Sequence, residues 1–515
     1  MNRPAYGNFP KQPRSVAWLF SPILFLALLV ATGLPAFATD PAQEEVTRDF
    51  EKTFTLSGNQ GLSLDHRFGQ VRIHGGAGHE LKISAKIRVQ DRNTAEAQDF
   101  SQKIQIEVRE AGDGVHVRTI YPESRFPVIR IGGHTSYSVD YDISMPVDAP
   151  LWLHNDFGNT DVSGVNGWSQ IENGHGVLTV RDAGAAKLVN SFGRIELSNA
   201  SGNCSITNNN GAVSASNVKG TLEVHNRFGE INASQVGAGA TISGGNGAIT
   251  LSGAGGNSSI SNSFGEVTVR NVTGTLAISN SNGKIDVSDV SGNSDLKTSF
   301  GSIDATRIGG TLTVHNNNGA VSLIEARGFV SATTSFGSVT ASHLSSGANV
   351  VTGNGAIELS DIQGDVYSKT SFGSVHAENV KGKFTAQDSN GAVTAKFIQD
   401  DVSVDTSFSG VTLESVGGKI RVNNQNGAID VTAASGSACK DIALKTSFSH
   451  MAVRIPANAG YKVTAQTSFG HINTELPVTA TGAMGSGSLT GTIGNGACLL
   501  DLTNSNGNID ISRAP

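Results

Sequence analysis

A phenylalanine or asparagine station recurs every 18 residues through the middle of this chain, at Phe192, Asn210, Phe228, Asn246, Phe264, Asn282, Phe300, Asn318, Phe336, Asn354, Phe372, Asn390, Phe408 and Asn426. Glycine follows every one of these stations except Phe408. A short period held without slippage means that each unit stacks on the last as one coil of a solenoid, because an insertion would break the ladder shared with its neighbours. The two station types alternate, so the chemical repeat is two coils, or 36 residues.

Inside each coil the apolar residues keep strand spacing. Three residues after every station stands Val or Ile, as in Ile195, Val267, Ile285 and Val411. Five after stands Ala, Leu or Val in many coils, and eight after is apolar again, as in Val218, Val272 and Ile362. A glycine two residues further on (Gly220, Gly274, Gly310, Gly418) marks a second turn, and a second alternating run follows, with Leu276 and Ile278 or Ile420 and Val422 inward. Spacing of two places these side chains on one face of a strand, so a coil holds two short strands and two turns.

Composition excludes the helical alternative. Sixty-two glycines with abundant Ser, Thr, Asn and Val are poor helix material, whereas β-branched residues fit a pleated surface. The expected fold is all-β: a parallel β-solenoid of 18-residue coils with a small α+β N-terminal cap. Coils stack at about 4.8 Å, so the fourteen stations span roughly 60 Å.

Two residues before most stations sits Asn or Thr, as in Asn208, Asn226, Asn280, Thr298, Thr352, Thr370 and Asn424. Stacked in register, such amides and hydroxyls can hydrogen-bond from coil to coil along the axis. The period fails at the ends. Residues 39–150 form the expected cap region, 151–434 the regular solenoid, and 435–515 irregular coils with a C-terminal cap. Within the cap, the residues from Thr94 to Lys103 read as a helix capped by Asn93 or Thr94, among alternating strands around Leu81, Ile83 and Ile87, around Ile106, and around Tyr141. Phe68, Val71 and Ile73 match one coil ahead of it, and looser coils at Phe448, Phe469 and Asn506 finish the chain.

Residues 1–38 read as an export signal. Arg3, Lys11 and Arg14 precede an apolar run over 16–34, and Ala36-Phe37-Ala38 supplies the small-residue pattern of a cleavage site. Cleavage after Ala38 leaves a chain with no further segment long enough to span a bilayer, and an uncleaved anchor is the alternative. Export to the periplasm, cell surface or medium is expected. Of the three cysteines, Cys204 and Cys498 stand where Leu, Ile or Val belong and read as small buried hydrophobes, while Cys439 lies in an insertion; a Cys439–Cys498 pair stays open.

The signal, a cap ending in Ser138-Val139-Asp140-Tyr141-Asp142-Ile143-Ser144-Met145-Pro146-Val147, and the many Phe-Gly and Asn-Gly coils together resemble the bacterial β-strand-repeat family known as "putative adhesins", a domain of unknown function. The resemblance covers nearly all of the mature chain. It implies the solenoid architecture and an adhesin-like role, and brings no catalytic residues with it.

Other functions find little support. Polysaccharide-cleaving β-helices need several carboxylates, or carboxylates with a base, on one face of neighbouring coils. Asp286 and Asp304 share an outward column in adjacent coils and Asp400-Asp401 form a pair at a turn, but both read as solvated acids without a basic partner. Calcium β-rolls place Asp two residues after the last glycine of Gly-Gly-x-Gly, where Gly244-Gly245-Asn246-Gly247-Ala248-Ile249 has Ile. His225 and His315 share a column five coils apart, too far for one metal. An ice-binding array of threonines is interrupted by Glu, Asp and His. A net charge of −7 gives no footprint for nucleic acid, and no cofactor or metal motif stands out.

The sharpest binding candidate is the column Phe192, Phe228, Phe264, Phe300, Phe336, Phe372 and Phe408, repeating every two coils at about 9.6 Å. Exposed, it could stack on sugars or grip an envelope protein. Parity favours the opposite: counting by twos from Leu276 through Ile278 and Asn280 arrives inward at Asn282, so each equivalent Phe is expected to fill a corner of its coil. The reading as a whole is an exported, non-enzymatic β-solenoid, adhesin-like or structural in the envelope, whose partner is a surface glycan or an envelope protein. The alternatives are a polysaccharide-acting β-helix enzyme and an envelope-stress or signalling accessory protein.

Overall fold

A computed structural model describes residues 44–122, 135–436, 438–482 and 485–514, so the expected signal at 1–38 lies outside the described residues. Contacts divide the chain into Met1–Gln43 and Glu44–Pro515, and everything below concerns the second unit. It is a parallel β-solenoid of about 17 turns of roughly 18 residues. Each turn lays one strand in each of two sheets, as Leu276–Asn282 and Ile285–Val290 do. The next turn pairs with it in register, Leu276 beside Ser294 and Ile285 beside Ile303.

The core is the space between the sheets. The inward columns read from the sequence are buried throughout, including Val267, Ile285, Val287, Val290, Leu276 and Ile278. Each coil contributes only a few apolar side chains, mostly Val, Ile, Leu and Ala, and the stack makes them one continuous apolar slot. Helix Thr94–Lys103 starts at Asn93, whose Oδ1 accepts the Ala95 amide at 3.0 Å.

Both ends are threaded. At the N-terminus the coil formed by strands Gly61–Phe68 and Val71–Gly76 lies between strands that come later in the chain: Leu151–Phe157 and Thr160–Ser163 on one side, Gly114–Ile120 and Ser136–Pro146 on the other. Antiparallel strands Glu44–Thr55, Glu80–Asp91 and Gln105–Ala111 then close the stack. At the C-terminus the last coil, Cys498–Asn506 and Ile509–Arg513, is inserted between strands Ile442–Phe448 and Met451–Ile455 on one side and Tyr461–Phe469 and Ile472–Thr474 on the other. The final three coils are thus stacked out of chain order. The outermost N-terminal strand carries Glu44, Glu45, Arg48, Asp49, Glu51 and Lys52, charges that oppose pairing with a foreign strand.

The disulfide question is answered by this threading. Cys439 and Cys498 are bonded, with Cα atoms 6.0 Å apart. Cys498 is therefore not the buried hydrophobe expected: it opens the inserted strand and is tied to the 435–441 insertion. Cys204 is the buried free thiol that its column suggested. Among the described residues no helix is long and apolar enough to cross a membrane.

Candidate functional site

The first corner of each coil is built by the polar ladder. In the coils up to Asn318 the ladder amide donates to glycine carbonyls: Asn226 Nδ2 to Gly211 O at 2.9 Å and Gly229 O at 3.1 Å, Asn316 Nδ2 to Gly301 O at 3.0 Å and Gly319 O at 2.9 Å. Coil-to-coil bonding therefore runs from amide to backbone, more than from amide to amide. In these coils the glycine after the station takes a left-handed φ, 140° at Gly283, where a Cβ would come within 2.1 Å of Gly265 O.

This corner corrects the expectation for the phenylalanines. Phe192, Phe228, Phe264, Phe300, Phe336, Phe372 and Phe408 all face solvent, between 42% and 66% exposed. Counting by twos fails because the corner begins one residue after the ladder position. Asn280 pairs with Thr298 and Asn282 with Phe300, but Ser281 is skipped. Parity holds only while the backbone stays extended. The corner volume assigned to Phe is already filled by the ladder Asn or Thr, which is buried in each of the seven coils that carry these phenylalanines.

The same column begins with rings in four successive coils. Phe68 stacks on Phe157 at 5.3 Å, Phe157 on His175 at 4.5 Å and His175 on Phe192 at 4.8 Å, each pair within 13° of parallel. After Phe192 the neighbours of each Phe are asparagines, and two of these lie back on the preceding coil: Asn210 Nδ2 donates to Ser191 O at 3.5 Å and Asn390 Nδ2 to Ser371 O at 3.0 Å. The inserted last coil continues the alternation, because Asn506 stands between Phe448 and Phe469.

The second corner holds a feature that the glycine count missed. Seven residues after the station the backbone is left-handed in coil after coil, at Asn199, Asn217, Asp289, Arg307, His343 and Asn379 among others, with φ near 55°. These side chains form their own outer ladder, with Asn217 Nδ2 donating to Asn199 Oδ1 at 2.8 Å and Arg307 donating twice to Asp289 at 2.6 and 2.8 Å. Enrichment of Asn and Asp at this offset was the available signal. Four residues further on, Asn203, Asn293, Asp365 and Asp401 each accept the backbone amide of the next coil at 2.9 Å.

The acid pairs have partners after all. Lys284 Nζ lies 2.9 Å from Asp304 and 3.4 Å from Asp286, and Arg270 reaches Asp286 at 3.6 Å. The hydrogen bond that Lys284 donates to Asp304, with Asp286 alongside, raises the pKa of the Lys284 ammonium above its ordinary value. Lys284 stands two residues before Asp286 on the same face, so this contact was readable from spacing. Asp401 serves as a turn acceptor and Asp400 Oδ1 takes the Asp401 amide at 2.8 Å. Each of these carboxylates is held by cations or by backbone amides, and among the described residues no group of three His, Cys, Asp or Glu could hold a metal ion.

No protein-family model and no curated protein sequence matches the chain. Among solved structures it is similar to a "putative cell adhesion protein" from Clostridium sporogenes, 8% identical over 90% of this chain and 100% of that one, with a TM-score of 0.14. It is also similar to a "putative adhesin" from Parabacteroides merdae, 10% identical over 75% of this chain and 96% of that one, TM-score 0.14. A "putative adhesin" from Parabacteroides distasonis is 8% identical over 75% of this chain and 97% of that one, TM-score 0.12. The structural neighbours of this β-solenoid are thus bacterial proteins named for adhesion.

Proposed function

We propose that the protein is an exported, non-enzymatic β-solenoid that acts as an adhesin-like binding rod of the cell envelope, with the outward phenylalanine column as its binding surface. The observation that carries this reading is the column itself: large apolar rings held in solvent at one corner, in every second coil, on a backbone that cannot fold them away. Repetition gives multivalency, so weak contacts at single rings add along a partner. Export is supported by the signal-like 1–38 segment and by the Cys439–Cys498 bond, which persists in an oxidising compartment.

The test is adhesion of the purified full chain to arrays of envelope glycans and of proteins, beside a variant with Phe264, Phe300, Phe336 and Phe372 changed to Ser. Retention that falls tenfold or more in a variant melting like the parent supports the reading. Undiminished adhesion would remove the column from the binding surface, and release of oligosaccharides from the arrayed glycans would replace a binding rod with an enzyme.

A further inference from the structure

The alternation of phenylalanine with asparagine leaves gaps of a definite size. Two phenylalanines two coils apart are separated by about 9.6 Å, and what fits between them is visible within the molecule. His175 occupies the coil between Phe157 and Phe192, parallel to both rings, with centroids at 4.5 and 4.8 Å. From Phe192 onward asparagine takes that coil, so no ring stands between the phenylalanines, and Asn210 and Asn390 fold back on the backbone toward Ser191 O and Ser371 O. Each gap is therefore a slot for one flat ring, open to solvent.

A ligand that fills successive slots must present rings at the same spacing. The molecule guaranteed to do so is another copy of this chain. Resting on the reading of the column as a binding surface, we propose that its partner is a second copy, bound antiparallel, with the phenylalanines of each copy inserted over the asparagines of the other. The fourteen stations from 192 to 426 alternate and are even in number, so reversing one copy brings every Phe opposite an Asn: Phe192 faces Asn426, and Phe300 faces Asn318 near the twofold axis. A twofold interface uses the same patch on both copies, as a self-complementary zipper requires.

Charge placement fits this arrangement. Beside the stations, charged residues occur only in the first half of the column, at Arg194, Arg227, Glu230, Glu266 and Lys284. From station 300 to station 426 the flanking residues are only Ser, Ala, Gly, Asn and Gln. Antiparallel pairing sets Arg194 against Ala428, Glu230 against Ala392 and Glu266 against Ala356, so no like charges meet. Parallel pairing would bring the two charged halves together.

The experiment is sedimentation of the purified full chain across the micromolar range, with two variants. Changing Phe300 and Phe336 to Ser removes the central rings. Changing Asn282, Asn318 and Asn354 to Phe fills the central slots from within, as His175 does in its coil, and consecutive rings are already tolerated at Phe68 and Phe157. The parent is expected to be a dimer, and both variants, with melting temperatures no lower than a few degrees below the parent, are expected to weaken dimerisation at least tenfold. A parent that stays monomeric overturns the proposal, and adhesion to other surfaces in the array experiment would then leave the binding rod standing without self-association. Filled-slot variants that dimerise as well as the parent or better also overturn it, since added rings would then be contributing general stickiness.

Discussion

The solenoid changes its corner halfway along. In the coils up to Asn318, ladder asparagines point their amides at glycine carbonyls, the strand on that side runs seven residues as in Leu312–Asn318, and each glycine after the station has a left-handed φ. From Val330–Thr334 onward the ladder is mostly threonine, the strands shorten to four or five residues, and glycines 337, 355, 373 and 391 leave that φ range. The peptide between station and glycine has turned over. Gly283 N–H bonds along the axis to Phe300 O, whereas Gly355 N–H turns inward to Thr352 Oγ1 at 3.0 Å, and that hydroxyl donates to Gly337 O at 3.1 Å.

Side-chain chemistry explains the preference and neighbours enforce it. An amide has the reach to donate to two carbonyls, while a hydroxyl can accept one N–H and donate once. Yet Thr298, set between Asn280 and Asn316, follows the first corner and donates to Gly283 O, and Asn424 follows the second by accepting the Gly427 amide through Oδ1 at 3.2 Å. Because ladder residues such as Thr298, Asn316, Thr352, Thr370 and Asn424 donate to the preceding coil, a coil adopts the corner of its neighbours, as nearest-neighbour coupling in repeat proteins predicts. The consequence for function lies in the rings: Phe336, Phe372 and Phe408 stand further out than Phe192, Phe228, Phe264 and Phe300.

Residues that break the ladder's chemistry test this comparison most sharply. His66 takes the ladder position in the N-terminal threaded coil, beside Asn155. It is buried, with Nδ1 3.1 Å from Thr119 Oγ1 and no partner at Nε2, and burial lowers its pKa from 6.5 to about 4. The unfolded chain therefore binds the proton first. Stability from the neutral ring is complete above pH 6.5 and is lost as pH falls toward 4, by about 3 kcal/mol in all. Denaturant titrations between those limits should show the loss, and His66→Asn, which restores a ladder amide, should flatten it. An unchanged profile in that variant would place the acid sensitivity elsewhere.

Asp388 is the exception inside the threonine stretch. Its Oδ1 accepts the Ser389 and Asn390 amides at 2.6 and 3.3 Å, while Oδ2 is buried without a partner, and burial raises its pKa. Ionised, it cannot give the donor that Thr370 gives to Gly355 O and that Asn424 gives to Ser409 O. Asp388→Asn supplies that donor and should stabilise by about 1 to 2 kcal/mol at neutral pH. The raised pKa means that the native acid contributes most when protonated and loses its contribution as pH rises, so the gain from Asn should shrink in acid. A variant no more stable than the parent at pH 7 would show that the second corner does not need a donor at this coil.

The contrast between period and corner also marks how far sequence reading reaches. The inward columns, the helix at Thr94–Lys103 and the ladder positions follow from spacing, because extended strands and helices have fixed periods. The side taken by Phe264 or Phe300 does not, since Ser263 and Ser299 lie where the chain turns and alternation lapses. The left-handed second corner was masked because Arg307, Glu325 and Phe397 hold a conformation usually marked by glycine. Threading of the last coil, and with it the Cys439–Cys498 bond, depends on which strands meet in space, which no local period encodes.

The smallest expected effect concerns the return of the first corner after the threonine stretch. Strand Ile442–Phe448 again runs seven residues, and the residue after the station, Ser449, has φ of 112° where the corresponding glycines sit. Its carbonyl accepts Asn504 Nδ2 at 2.8 Å, so the geometry of the first corner is complete and the serine is held in it. A side chain forced into that region is strained by about 1 to 3 kcal/mol, and glycine removes the strain while losing about 1 kcal/mol through the greater freedom of the unfolded chain. Ser449→Gly should therefore raise stability by about 1 kcal/mol, read as a shift of the denaturation midpoint with unchanged slope. Serine fitting this place without strain predicts the opposite sign, and a destabilised variant would mean that the coil of Phe448 has a third kind of corner.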